Sequence, residues 1–282
     1  MARRDMSHDR IIRAMLGSEL SEHFPKADGA RQSALALSVA GLVTPRCRGF
    51  DLDLGAGEIV GLAGLDGSGR EDVLRALFGL LPGARASSFA LAGRAARLPC
   101  APGEAVAGGI GFLPADRKAE ALFVDQSIAF NTSLAALDRV RVNGLLSPQT
   151  EAALMRDDLA RVSLKYSDLA QEVQELSGGN QQKVVLARWL GRRPDVLLME
   201  EPTRGIDIRA KAEVYALIGE FVAAGGAVIM MSSDMPELVG IADRVLVFYR
   251  GRVSAELSGA DVTAEAIAKA SYSEVGAREP VH

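Results

Sequence analysis

Apolar positions along the chain fall into two rhythms. Short, mainly apolar stretches at residues 35–39, 58–63, 196–199, 227–231 and 245–249 end in glycine, acidic or polar turns, the pattern of buried strands. Amphipathic stretches at helical spacing lie at about residues 70–78 and 210–223, after Ser177, and more briefly at 264–270. The succession of strand, glycine loop, helix and strand predicts a parallel α/β core. Between about 125 and 176 the rhythm turns helical, with Leu154, Leu159, Val162 and Leu169 spaced among charges. Near the start, Ile11, Ile12, Met15, Leu16 and Leu20 share one helical face over residues 9–20. Pro25 ends that pattern, and 26–33 is a Gly- and polar-rich linker. The chain thus divides into an N-terminal helix with linker, 1–33, and one large domain, 34–282, whose helical part spans about 125–176.

Composition narrows the classes. With 48% hydrophobic and 24% charged residues over 282 positions, the chain has ordinary globular content. A net charge of −4 offers no basic track for nucleic acid. Cys47 and Cys100 stand outside any CxxC spacing and read as reduced thiols; His8, His23 and His282 sit near the termini, which disfavours a histidine metal site or triad. No apolar run approaches the length of a membrane span, and the N-terminal mixture of Arg3, Arg4, Asp5 and Asp9 lacks a signal-peptide core. Service to a membrane would pass through a partner.

Four strings carry chemistry. Gly64-Leu65-Asp66-Gly67-Ser68-Gly69-Arg70-Glu71 follows an apolar strand and opens a helix, as a loop must whose backbone N–H groups turn inward around phosphates. Arg70 stands where a lysine reaches the β- and γ-phosphates, and Glu71 where a hydroxyl holds Mg²⁺. In Leu176-Ser177-Gly178-Gly179-Asn180-Gln181-Gln182-Lys183, Ser177 can cap a helix while the two glycines admit a phosphate to the backbone. The strand 196–199 runs into Glu200-Glu201-Pro202-Thr203-Arg204-Gly205-Ile206-Asp207, paired carboxylates suited to managing Mg²⁺ and an attacking water. Ser232-Ser233-Asp234-Met235-Pro236-Glu237 ends another strand and is, alone, only a turn.

In this order the four resemble the phosphate loop, LSGGQ-type signature, Walker B strand and switch segment of ABC ATPases. The spellings Pro114-Ala115-Asp116-Arg117-Lys118, Asn180-Gln181-Gln182 and Glu201-Pro202-Thr203-Arg204-Gly205-Ile206-Asp207 resemble the tandem ATPases of bacterial ribose-, xylose- and galactose-type importers, in particular the second half of such a tandem. The resemblance implies a P-loop NTPase (RecA-like) core with a small β subdomain and an inserted α-helical subdomain. It implies ATP and Mg²⁺ as cofactors, with a nucleotide held between the phosphate loop of one half and the signature of the other. The implied partners are an ATPase half with an intact phosphate loop, membrane-spanning permease subunits and, indirectly, a periplasmic sugar-binding protein. The implied location is the cytoplasmic face of the bacterial inner membrane.

Residue by residue, the resemblance assigns nucleotide contacts to Gly64, Gly67, Ser68, Gly69, Arg70 and Glu71, and, toward the partner's nucleotide, to Ser177, Gly178, Gly179, Gln181 and Asp207. It assigns Mg²⁺ to Glu200, water activation to Glu201 and the switch position to Ser233. Several positions depart from the family pattern. Glu71 replaces a Thr, Glu200 an Asp, Ala115 a Gln or Glu, and Ser233 a His, and no aromatic residue for adenine stacking lies between Gly41 and Arg48. A carboxylate about 4 Å from phosphate oxygens costs roughly 1–4 kcal/mol, and a lost charged hydrogen bond about 1.5–3 kcal/mol more. The expectation is a weak or inactive site on the chain's own loop beside an intact signature. The alternative is an inert regulatory or docking module of an ABC assembly.

Overall fold

The computed structural model describes residues 34–272 apart from 138, 140, 143, 144 and 147. The helix expected over 9–20 and the linker over 26–33 lie outside the described residues. Strands β1 (Leu35–Val43) and β2 (Arg48–Gly55) pair antiparallel. In β2 the alternation is plain: Phe50, Leu52 and Leu54 are buried while Asp51 and Asp53 face outward. With β4 (Ser88–Leu91) and β5 (Arg94–Ala96) they form a sheet of order β2-β1-β4-β5.

The second sheet is built from β3 (Ile59–Gly64), β6 (Ile110–Leu113), β9 (Val196–Glu200), β10 (Ala227–Met231), β11 (Arg244–Tyr249) and β12 (Arg252–Ser258), in the order β12-β11-β3-β10-β9-β6. Its pairings are parallel except for β11 with β12. Every residue of β3, β9 and β10 is buried, which accounts for their unbroken apolar runs. The two sheets share one core, where Phe50 of β2 stacks on Phe248 of β11 with ring centroids 5.6 Å apart.

Helices α1 (Arg70–Leu77), α2 (Pro102–Ala107), α5 (Gly178–Arg192), α6 (Ile208–Ala223), α7 (Met235–Ile241) and α8 (Ala264–Tyr272) accompany the strands. Between β6 and α5 lie α3 (Ile128–Ser133) and α4 (Pro148–Arg161). The stretch expected to be helical also holds a short hairpin, β7 (Arg141–Val142) with β8 (Leu145–Leu146). Leu159 and Val162 are buried there, as their spacing predicts, together with Met155. Among the described residues no helix is long and apolar enough to cross a membrane.

Candidate functional site

The loop between β3 and α1 has the backbone that its glycines predict. Gly69 caps α1 with φ of 103°, and a Cβ there would lie 2.5 Å from the Arg46 carbonyl oxygen, so no larger residue fits. Arg70 enters the core, its side chain only 4% exposed. Its guanidinium bonds Asp66 Oδ1 at 3.2 Å, Glu71 Oε1 at 3.5 Å and the Ser232 carbonyl at 3.4 Å. Glu71 turns back over the loop, and its Oε1 accepts the Gly67 N–H at 3.3 Å. Glu71 Oε2 and Ser68 Oγ are buried without a hydrogen-bond partner among the described residues. With Glu71 so placed a carboxylate sits on the Gly67 amide, and the adjoining guanidinium is engaged by Asp66, Glu71 and the Ser232 carbonyl.

The end of β9 is equally committed. Glu200, the residue assigned to Mg²⁺, is buried and receives Arg75 of α1 in a two-bond fork, Nε to Oε1 and Nη2 to Oε2, both at 3.0 Å. Arg75 also pairs with Glu120 at 3.0 Å. Burial raises the Glu200 carboxyl above its ordinary value, against the opposing pull of Arg75 and the Ala115 backbone N–H. Burial opposes the charge of Arg75, yet its hydrogen bonds to Glu200 and Glu120 hold its pKa high. Mg²⁺ does not fit Glu200 while both carboxylate oxygens face this guanidinium.

The structure does bring Glu201 and Ser233 together: the serine hydroxyl donates to Glu201 Oε2 at 3.0 Å. Glu201 has φ of 47°, sparsely populated for a non-glycine residue, and its N–H donates to the Met231 carbonyl at 2.7 Å. Beneath it the buried Glu237 gathers the Thr203 hydroxyl at 3.0 Å, the Ser232 hydroxyl and Tyr215. Strand end and switch segment are thereby tied into one unit. Nothing local in the sequence gives Glu237 a task, because its partners Thr203, Ser232 and Tyr215 come from three separate elements.

At the other motif, Ser177 caps α5, accepting the Asn180 N–H at 3.4 Å. Ser177 is exposed at the start of this 15-residue helix, whereas Gly178 is half-buried and Gly179 buried. Asp207 likewise caps α6, accepting the Ala210 N–H at 2.9 Å. The two helix starts are neighbours, since a Cβ on Gly179 would stand 2.5 Å from that of Ala210. Gln181 is placed differently from Ser177: it is buried and donates to the Val173 carbonyl at 3.2 Å.

Arg117 stitches this end together, donating to the Arg204 carbonyl at 2.8 Å and the Gly205 carbonyl at 3.3 Å. Its Nε is buried without a partner among the described residues. Arg117, Lys118 and Arg204 line a cavity of about 230 Å³ with Ala115, Asp116 and Gly205.

A glycine loop from parallel strand to helix, a glycine-led capped helix and a carboxylate-ended strand together define an ATP-binding cassette. A sequence model of the family described as ABC transporter matches residues 47–204, and the chain belongs to that family. It is 43% identical to a ribose import ATP-binding protein of Mesorhizobium japonicum over 93% of this chain and 51% of that protein. The counterpart from Pseudomonas putida is 41% identical over the same shares. The chain therefore spans about half the length of the curated relatives it matches. Among solved structures, the ADP conformation of an ATP-binding cassette of an ABC transporter superposes with TM-score 0.66 at 17% identity, covering 82% of this chain and 94% of that one. A nucleotide-free cassette gives 0.69 at 16% identity, covering 83% and 95%. At these identities the structural likeness establishes the fold.

Proposed function

We infer that the chain is the energy-coupling ATP-binding half of an importer for a simple sugar, and that it acts by lending its signature to a nucleotide on a partner half. The observation that carries this is the contrast between its two motifs. Ser177 is exposed at the start of α5, close to Arg117, which lines a cavity with Lys118 and Arg204, whereas the chain's own loop is filled by Glu71. The relatives named for ribose import support a pentose or similar sugar as cargo.

In this scheme Ser177 donates its hydroxyl hydrogen, the start of α5 supplies backbone N–H groups, and Arg117 holds the Arg204–Gly205 segment in place. ATP with Mg²⁺ supplies the phosphoryl chemistry, on the loop of the partner half. Closure of the two halves passes to membrane-spanning subunits through residues 114–124 and the helices after them, at the cytoplasmic face of the inner membrane. There Phe123 and Phe130 present exposed rings 5.6 Å apart. A periplasmic sugar-binding protein delivers the cargo on the other side.

The test is Gly178→Asp in the reconstituted assembly. A carboxylate at the helix start repels phosphate, so ATPase activity should fall to background; full activity in that variant would refute the signature-donor scheme. The second reading, an inert docking module, draws on the Arg75–Glu200 fork, which engages the assigned metal ligand. It requires that the assembly hydrolyse ATP equally well with this chain's signature disabled.

A further inference from the structure

We propose that Glu71 is the resident anion of the phosphate loop: its carboxylate takes the place of a nucleotide phosphate and alone decides that this loop stays closed to ATP. This deepens the reading above, on which it rests, by assigning the closure to one side chain.

The loop backbone retains the inward turn that suits phosphate, with Gly67 at φ of 77° and Gly69 at 103°. Glu71 Oε1 lies within hydrogen-bonding distance of both the Gly67 N–H, at 3.3 Å, and Arg70 Nε, at 3.5 Å. Backbone amide and side-chain cation on one oxygen is the arrangement in which a nest of this kind holds an anion. The second carboxylate oxygen, Oε2, is buried against the loop with no partner, and so is the Ser68 hydroxyl. An oxygen driven into solvent would show neither feature. The charges agree: Asp66 and Glu71 flank the single guanidinium of Arg70, so the loop is net negative before any ligand arrives.

Nothing else about the loop is irreparable. Arg70 remains buried at the base with its charge, and the helix start behind it is intact. Removing the carboxylate frees the Gly67 N–H and one face of the guanidinium, and removes the loop's net negative charge and with it the repulsion of an incoming triphosphate.

The experiment is calorimetric titration of the full chain with Mg-ATP, for wild type, Glu71→Thr, Glu71→Ala and the double variant Glu71→Thr/Arg70→Ala. Circular dichroism melts of each verify folding. The expected result is millimolar or weaker binding by wild type and a gain of about a hundredfold or more in both single variants. The double variant should lose that gain, which places the new site on the loop. Weak binding by wild type and by both folded single variants would overturn the proposal while leaving the signature-donor reading intact. Micromolar binding by wild type would sink both, since the loop would then admit ATP with Glu71 present.

Discussion

Replacing Arg188 by Met should loosen the junction on which the signature helix rests. Arg188 lies on α5, 8% exposed, and its hydrogen-bond acceptors are all backbone carbonyls or an amide. Nε donates to the Asn131 carbonyl at 2.6 Å, Nη1 to the Ala121 carbonyl at 2.7 Å, and Nη2 to Asn131 Oδ1 at 3.4 Å. One side chain therefore joins α5 to α3 and to the turn that carries Arg117. Burial alone pushes its pKa down to about 10, the mark of a cation kept in place by dipoles rather than by a carboxylate.

Met fills much of the volume but strips two buried carbonyls of their donor, at about 1–3 kcal/mol each. Relief of the guanidinium's own desolvation offsets part of this, leaving a net loss of about 2–4 kcal/mol. For a domain of this size that lowers Tm by roughly 4–16 °C. Urea and thermal unfolding followed by circular dichroism read both quantities. Arg188→Lys should recover only part, since an ammonium cannot reproduce the planar fork that reaches both carbonyls. A Met variant melting within about 2 °C of wild type would refute the reasoning.

Two further substitutions probe the same region and the strand end. Gly179→Ala sets a methyl 2.5 Å from the Ala210 Cβ and should cost about 1–3 kcal/mol by forcing α5 and α6 apart; an unchanged urea midpoint would contradict the packing described. Glu200→Gln tests the buried carboxylate through pH. Its folded pKa is raised above the ordinary 4.5, chiefly by burial, so its contribution to stability is fully present below 4.5 and is lost as pH rises through the folded value. The Gln variant should therefore gain on wild type as pH rises from 4.5 toward neutrality, in unfolding free energies measured along that series; a gap that stays flat or narrows would show that Arg75 outweighs burial.

Legibility in the sequence followed burial. The central strands emerge within a residue of their expected bounds, 58–63 against Ile59–Gly64 and 227–231 unchanged, because a strand covered on both faces must be apolar throughout. β1 was read too short, at 35–39: the chain bulges near Gly41, at φ of 61°, and pairing resumes beyond it to Val43. β5 could not be read at all, since Arg94–Ala96 is exposed throughout and carries no alternation. β6 is only four residues long and was overlooked, although all four are buried. The phosphate loop and the signature were legible because each is a local backbone shape written in adjacent glycines. The Arg75–Glu200 fork was not, because its partners lie 125 positions apart and nothing in either neighbourhood names the other.

Glu71 shows where local reading stops. From sequence, a carboxylate at the first turn of a helix has two outlets, solvent or the loop behind it, and its repulsion of phosphate depends on which it takes. The structure turns it inward, and the same logic runs through the whole strand-end region: Arg70 is met by Asp66 and Glu71, and Glu200 is met by Arg75. The formal charges at that end meet counter-charges within the chain, although Glu71 Oε2 and the Ser68 hydroxyl keep no hydrogen bond among the described residues. At the signature end Arg117 spends its guanidinium on neutral carbonyls, its Nε has no partner among the described residues, and two capped helix starts lie nearby. A buried donor without an acceptor costs about 1–3 kcal/mol until one arrives; at the loop the unpartnered Ser68 hydroxyl stands beside the carboxylate of Glu71, whereas at the signature end the unpartnered donor belongs to the Arg117 cation. That imbalance, with Glu71 on one side and Arg117 on the other, is the physical reason to look for this chain's nucleotide on another half.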